Sequence, residues 1–276
     1  MNLVTMFDWS YRVKGLALYD SLARHTKDFH LHILALDENT WDFLVKRNLK
    51  NVTVIKLESI ETQQLLDIKQ KRSWAEYVFT LTPSLTYSVL CHHNLAELAY
   101  LDSDVFFFSD PTPLYEEVEN SEIAIVPHRF AEKDLGHLPA GKYNVGWVYF
   151  KNTPGARKCL MQWRDQCLDW CGTKTQNGKY ADQKYWDALV PQYGVHSVKQ
   201  LGSDVAPWNN EQYSYTSKNG KIYVDGEPLV FFHFHELEHD TNGNITKYTN
   251  WELHPDVKKL VYPVYENTLR EVSLWK

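Results

Sequence analysis

The chain has 276 residues, 43% of them hydrophobic and 23% charged, with a formal net charge of −6. That length and balance suit a folded globular protein with a sizeable core. The acidic excess and the lack of a dense basic stripe exclude a general nucleic-acid binder, and no apolar run reaches the roughly 18 residues of a spanning helix.

The start, Met1-Asn2-Leu3-Val4-Thr5-Met6, has neither the charged beginning nor the apolar centre of a secretion signal, so a cytoplasmic location is expected. Residues 3–7 read as a strand and 13–24 as an amphipathic helix with Leu16, Leu18, Tyr19 and Leu22 on its apolar side. Strands over 29–36 and 52–56 follow, with helices over 40–48, 60–70 and 77–92. Pro83 is placed near the first turn of the last helix, where proline is tolerated. This alternation predicts an α/β fold with a mostly parallel central sheet and helices on both faces. Ligands of such sheets sit at the carboxyl ends of the strands. Asp8, Asp37 and the pair Asp102 and Asp104 each follow a strand, and are expected around one crevice.

The second half predicts strands over 123–127 and 143–151, a long helix over 155–171 and a short one over 182–189. A hairpin turns at Asn219-Gly220, a buried strand covers 229–234, a polar loop 236–249, and a helical tail 257–274. No repeat or linker interrupts the chain, so a single domain is expected. The tail's Tyr262, Tyr265, Leu269, Leu274 and Trp275 would suit a membrane or a partner subunit, but its acidic residues favour core packing.

The most informative stretch is Tyr100-Leu101-Asp102-Ser103-Asp104-Val105-Phe106-Phe107. Two carboxylates at the end of an apolar run need compensation, and a hard divalent cation, Mg²⁺ or Mn²⁺, provides it. Strand alternation would turn Asp102 and Asp104 to one side; the alternative is a plain turn, for which Asp-Ser-Asp is also suited. In Phe232-His233-Phe234-His235-Glu236, His233 is placed to complete the metal site. A zinc site from His233, His235 and His239 is an alternative, though zinc enzymes of that kind usually space their ligands more tightly on a helix. Cys159, Cys167 and Cys171 are assigned to one helix and Cys91 to another, all as reduced thiols. Aromatic residues reach 14% of the chain, which suits a cleft that stacks sugars or bases, or else a Trp-rich core.

These segments carry a resemblance. Tyr100-Leu101-Asp102-Ser103-Asp104 resembles the Asp-x-Asp motif of nucleotide-sugar glycosyltransferases with the A-type fold. Thr5-Met6-Phe7-Asp8 resembles their first strand and Tyr143-Asn144-Val145-Gly146-Trp147 their Phe-Asn-Ser-Gly strand. Ala181-Asp182-Gln183 resembles the Asp-Gln motif beside the donor sugar, and Phe232-His233-Phe234 the late His-Phe segment. The pattern is similar to the family of glycogenin and the bacterial lipopolysaccharide galactosyl- and glucosyltransferases. Val145, Trp147, His235 and Glu236 depart from it, and no Lys-Pro-Trp follows the late histidine.

The resemblance implies a Rossmann-like domain over 1–276, with a nucleotide-binding half to about 110, a sugar and acceptor half to about 250, and the helical tail beyond. It implies transfer from a nucleotide sugar, UDP-sugar favoured over GDP-sugar, to a saccharide or lipid-linked acceptor, with retention. Mn²⁺ or Mg²⁺ would be held by Asp102, Asp104 and His233. Phe7, Asp8, Tyr11, Arg72, Ser103, Asn144 and Gly146 would bind the donor, with Gly146 under the sugar. Asp182 and Gln183 would serve the reacting sugar, Asp182 doubling as a helix N-cap, and Arg129, Trp208, His235 and Glu236 would meet the acceptor. An inverting enzyme would instead need Glu236 or Asp182 as base. Such a chain suits a bacterial enzyme building surface polysaccharide or lipopolysaccharide, with possible peripheral contact at the inner membrane face. The competing readings are a non-catalytic carbohydrate-binding scaffold and a zinc hydrolase; a sugar-nucleotide pyrophosphorylase is discounted because Phe7-Asp8-Trp9-Ser10-Tyr11 lacks its Gly-rich loop.

Overall fold

The structure is a computed structural model, and it describes residues 1–275. The first half alternates as expected: β1 (Asn2–Phe7), α1 (Arg12–His25), β2 (His30–Ala35), α2 (Glu38–Arg47), β3 (Val52–Lys56), α3 (Gln63–Lys69), α4 (Trp74–His92) and β4 (Glu97–Leu101). Short β5 (Val105–Phe107) and α5 (Thr112–Val118) precede β6 (Ile123–Pro127), β7 (Tyr143–Lys151), α6 (Pro154–Asp169), α7 (Trp186–Tyr193) and β8 (His196–Ser197). A meander of β9 (Tyr215–Lys218), β10 (Lys221–Val224) and β11 (Glu227–Pro228) leads to β12 (Phe231–His233), then β13 (Glu238–His239) and β14 (Ile245–Lys247). The chain ends in α8 (Pro255–Leu260) and α9 (Tyr262–Ser273).

Seven strands form the central sheet in the order β3-β2-β1-β4-β7-β6-β8. β7 runs antiparallel to both neighbours and the other pairings are parallel, so the sheet is mostly parallel as expected. Strand alternation splits the core in two. Leu31, Ile33, Leu101 and Trp147 face one layer, where α1 packs on α9. Leu34, Leu98, Tyr100 and Phe150 face the other, where α4 packs on α6. Chain connections leave β1 in one direction and enter β4 from the other, so the carboxyl ends of β1 and β4 open the crevice that such a reversal creates.

Several boundaries differ from the sequence reading. α4 starts at Trp74 because Ser73 and Glu76 make a reciprocal capping box. Pro83 therefore lies mid-helix and gives the Phe79 carbonyl no N–H. α6 stops at Asp169, which leaves Cys171 outside it. Residues 181–185 form turns before α7, so Asp182 is not an N-cap. The C-terminal tail is two helices, and Tyr262, Tyr265 and Leu269 are buried in the core against Phe234 and its neighbours rather than offered to a membrane. Among the described residues, no helix is long and apolar enough to cross a membrane.

Candidate functional site

Asp102 and Asp104 do not converge by strand alternation. β4 ends at Leu101, and Asp102-Ser103-Asp104 make a tight turn closed by the Val105 N–H donating to the Asp102 carbonyl (3.2 Å). β5 then pairs antiparallel with β12, setting His233 opposite Val105. The Phe234 N–H donates to the Asp104 carbonyl (2.9 Å) and locks the next step. The result is a cluster from two distant segments. His233 Nε2 lies 3.1 Å from Asp104 Oδ1 and 3.8 Å from Asp102 Oδ2.

Among the described residues, these are the only three metal-binding side chains whose ligand atoms all come within 4.8 Å of one another. Two carboxylates and an imidazole fit a hard or borderline divalent cation such as Mg²⁺ or Mn²⁺. The electrostatics agree. Burial raises the Asp102 carboxyl despite the His233 charge opposing it. Burial also acts to raise Asp104, but the charge and hydrogen bond of His233 outweigh it and hold it low. Burial works against protonation of His233, yet Asp104, Asp204 and Asp102 raise its pKa well above the usual imidazole value. Without an ion the imidazolium is the counter-charge of this acidic turn. The alternative three-histidine site does not assemble: among the described residues, the ligand atoms of His233, His235 and His239 do not all come within 4.8 Å of one another.

The cluster sits in a cleft of about 440 Å³. At one end, Asp8 accepts from the N–H groups of Ser10 (2.9 Å) and Tyr11 (3.1 Å), and from the indole of Trp74 (2.9 Å). These hydrogen bonds outweigh burial and lower its pKa. Tyr11 and Trp74 flank it, 43% and 42% exposed. Lys14, buried, stands behind Tyr11 with Nζ 4.3 Å from the ring centre. Asp37, the third carboxylate expected here, instead caps α2 through the Thr40 N–H (2.8 Å) and holds the Trp9 N–H (2.7 Å).

In the middle, the Tyr100 hydroxyl donates to Asp102 Oδ1 (2.9 Å). Asp182 lies fully buried nearby, its pKa pushed up to about 8 by burial and then by the Asp102 charge. Gln183 lines the cleft and donates to the Ala140 carbonyl (3.0 Å). The far end is aromatic. His128 stacks on Phe130 at 4.7 Å, His137 meets Trp251 at 4.5 Å, and Trp208 sets its edge 5.2 Å from His233.

Of the residues expected in the site, Phe7, Asp8, Tyr11, Ser103, Asn144, Asp182, Gln183, Trp208 and His235 line this cleft together with Asp102, Asp104 and His233. Four do not. Arg72 donates to Thr80 and to the carbonyls of Cys167 (2.6 Å) and Leu168 (2.8 Å), tying the start of α4 to the end of α6. Arg129 turns away to the carbonyls of Gln200 (3.2 Å) and Ser203. Glu236 accepts from the Asn250 N–H (3.1 Å). Gly146 is not an open floor for a sugar. A Cβ there would lie 2.4 Å from Asn144 Oδ1 and 2.6 Å from His233 Nδ1, so glycine lets β7 pass close behind His233.

Sequence reasoning missed Trp74, Phe130, His137 and Trp251 on the wall, and Asp204 behind it. The high aromatic content was the one available signal for the first four. A wider, more open groove along α6 contains none of the expected residues.

No family model matches the chain. It is 32% identical over 276 residues to the uncharacterized protein YfnD of Bacillus subtilis (strain 168), covering 98% of this chain and 89% of that protein. It is 30% identical over 231 residues to YfnF of the same organism, covering 80% and 76%. The chain belongs to the family of YfnD and YfnF.

Similar solved structures place the family's fold. The galactosyltransferase LgtC in complex with donor and acceptor sugar analogues covers 98% of this chain and 96% of its own, with TM-score 0.60 and 14% identity. The glycosyltransferase GlyE of Streptococcus pneumoniae TIGR4 covers 98% of this chain and 62% of its own, with TM-score 0.55 and 16% identity. The family of YfnD and YfnF thus has, in this member, the A-type glycosyltransferase fold.

Proposed function

We propose that this protein is a metal-dependent glycosyltransferase. It moves a sugar from a nucleoside-diphosphate donor, UDP-sugar favoured over GDP-sugar, to a saccharide or lipid-linked acceptor, with retention at the anomeric carbon. One observation carries the reading: Asp102, Asp104 and His233 converge in a cleft whose wall, among the described residues, contains no Lys or Arg. A nucleotide sugar reacts by losing a diphosphate, so a wall without fixed cations leaves the neutralising charge to an ion. Held by these three side chains, Mn²⁺ or Mg²⁺ supplies Lewis-acid stabilisation of that leaving group.

The remaining residues have distinct tasks. Tyr11 and Trp74 offer flat faces for the base beside Asp8, whose carboxylate their own N–H groups already orient. Asp182 is largely protonated near neutral pH and donates to a donor hydroxyl rather than accepting a proton. Retention follows the sequence resemblance, and Glu236, one candidate base for inversion, turns away from the cleft wall to the Asn250 N–H. Phe130, His137, Trp208 and Trp251 give the acceptor sugar ring an apolar face to stack on. That LgtC is described with both donor and acceptor analogues bound supports a two-substrate cleft. The preference for UDP and a lipid-linked acceptor at the cytoplasmic membrane face follow the sequence resemblance.

Calorimetry of UDP and GDP, with and without Mn²⁺, on the wild type and Asp104→Ala tests the proposal. Mn²⁺-dependent binding of one nucleotide, lost in the variant, is the expected result. Binding of neither nucleotide with any metal overturns it.

A further inference from the structure

Behind the metal-binding cluster lies a residue that the resemblance does not contain. Asp204 is 0% exposed, and neither of its carboxylate oxygens has a hydrogen-bond partner among the described residues. Its backbone is left-handed, with φ of 57°. A buried carboxyl group without partners is costly, and strain of this kind persists only where the surroundings enforce it.

The surroundings do enforce it. Gly202 packs on the Pro228 carbonyl so closely that no Cβ fits there. Arg129 clamps the Gln200 and Ser203 carbonyls, and the Asn209 amide donates to the carbonyls of Asp204 (3.0 Å) and His128 (2.8 Å). Val205 bridges to Phe232, and its carbonyl accepts the His233 N–H (2.9 Å). The loop is therefore pinned to β12 at Phe232 and at the backbone N–H of the histidine itself.

What the pinned carboxylate faces is His233. Asp204 Oδ1 stands 3.5 Å from His233 Nδ1, on the ring side opposite the Nε2 that meets Asp104. His233 Nδ1 is itself buried without another partner. An imidazole that ligates through Nε2 must carry its proton on Nδ1, and a carboxylate behind it fixes that tautomer and the ring plane.

We propose that Asp204 is the positioning residue of the metal centre: it receives the Nδ1–H of His233, fixes the Nε2-ligating tautomer, and thereby sets the affinity for the divalent cation. This rests on the metal site of the proposed function. It also gives Arg129 a task, holding the loop that carries Asp204, in place of the acceptor contact expected from the sequence. Trp208 lies four residues further along the same segment, so one loop supports the metal-binding histidine from behind and walls the acceptor end in front.

The test is Mn²⁺ affinity, measured alone and with excess UDP, on the wild type, Asp204→Asn and Asp204→Ala, alongside their metal-free melting temperatures. A structural role alone would lower the melting temperature and leave the affinity of the folded protein intact. The expected result is an Mn²⁺ affinity lowered by about 10-fold in Asp204→Asn, which keeps an acceptor oxygen, and by up to about 100-fold in Asp204→Ala. The metal-free melting temperatures report separately what Asp204 contributes to the fold. Affinities within about 2-fold of wild type in the folded variants overturn the proposal, since outer-shell partners cost more than that. That outcome would assign Asp204 to His128, the other imidazole within its electrostatic reach. Independently of any variant, ¹⁵N NMR of the Mg²⁺-loaded wild type should find His233 protonated on Nδ1; an Nε2–H tautomer overturns the proposal. A wild type that binds no Mn²⁺ in either condition removes the metal centre itself and the proposed function with it.

Discussion

The imidazole of His233 reaches Asp104 because the two lie on strands paired in one register, His233 against Val105 in the β5–β12 ladder. A slip of one residue would turn the histidine to the opposite face. The geometry of the Asp102, Asp104 and His233 cluster is thus a property of a two-stranded ladder rather than of the Asp-Ser-Asp turn alone.

That dependence makes Gly146 a sensitive position. Gly146→Ala should leave a folded protein destabilised by about 1–3 kcal/mol through overpacking, with Mn²⁺ affinity lost because the new methyl drives into His233 Nδ1 and Asn144. Chemical denaturation and an Mn²⁺ titration check the two halves. Wild-type metal affinity in Gly146→Ala would contradict the close approach.

Arg72 separates a structural from a catalytic role. Arg72→Met should cost about 2–3 kcal/mol of stability, because it removes a charged donor from two backbone carbonyls and Thr80. Nucleotide affinity of the folded protein should stay unchanged. A selective rise in donor KM without loss of stability would restore the phosphate-binding role expected from its sequence.

The acceptor end predicts a KM effect without a donor effect. Trp251→Ala removes an aromatic face that meets His137 at 4.5 Å and lines the cleft. Acceptor KM should rise about 10-fold, the equivalent of roughly 1.4 kcal/mol of lost stacking. Mn²⁺-dependent nucleotide binding should be unaffected, which calorimetry checks directly.

Stability should fall on acidification through His32, on the strand β2 between β1 and β3. This imidazole is buried in β2 with neither ring nitrogen partnered, between His30 and His93. Burial, then the two neighbouring histidines, lower its pKa to about 4. Its folded value lies below its unfolded value, so the unfolded chain binds the extra proton. The neutral form's contribution is complete above about pH 6.5 and lost as pH falls towards 4, on the order of 3 kcal/mol. His32→Leu should flatten the curve of unfolding free energy against pH across that window; parallel curves would remove His32 as the cause.

Much of the site is written locally. A strand ending in Asp102-Ser103-Asp104, the Phe231–Phe234 stretch with its histidine, and the strand carrying Asn144 and Gly146 announce themselves because apolar runs interrupted by charge have few stable explanations. The residues that went astray are long side chains. Arg72 read as a donor contact and Arg129 as an acceptor contact, but an extended guanidinium goes to whichever carbonyls the tertiary structure brings near. Glu236 is adjacent to the cleft in sequence, yet its backbone is left-handed, with φ of 60°, and the side chain leaves the wall.

By itself, the sequence determined the α/β order and the mostly parallel sheet, and it singled out Asp102, Asp104 and His233, the three side chains that the structure brings together, since hydrophobic period and uncompensated charge are properties of short segments. Tertiary structure alone decided which side chains share the cleft. The pairing of β5 with β12 joins segments some 130 residues apart. The aromatic end combines Phe130 and His137 from the β6–β7 connection with Trp208 and Trp251 from two others. Asp204 gained its neighbour only when its loop was pinned against β12. Side-chain convergence of this kind depends on register and packing between distant segments, and no local pattern encodes it.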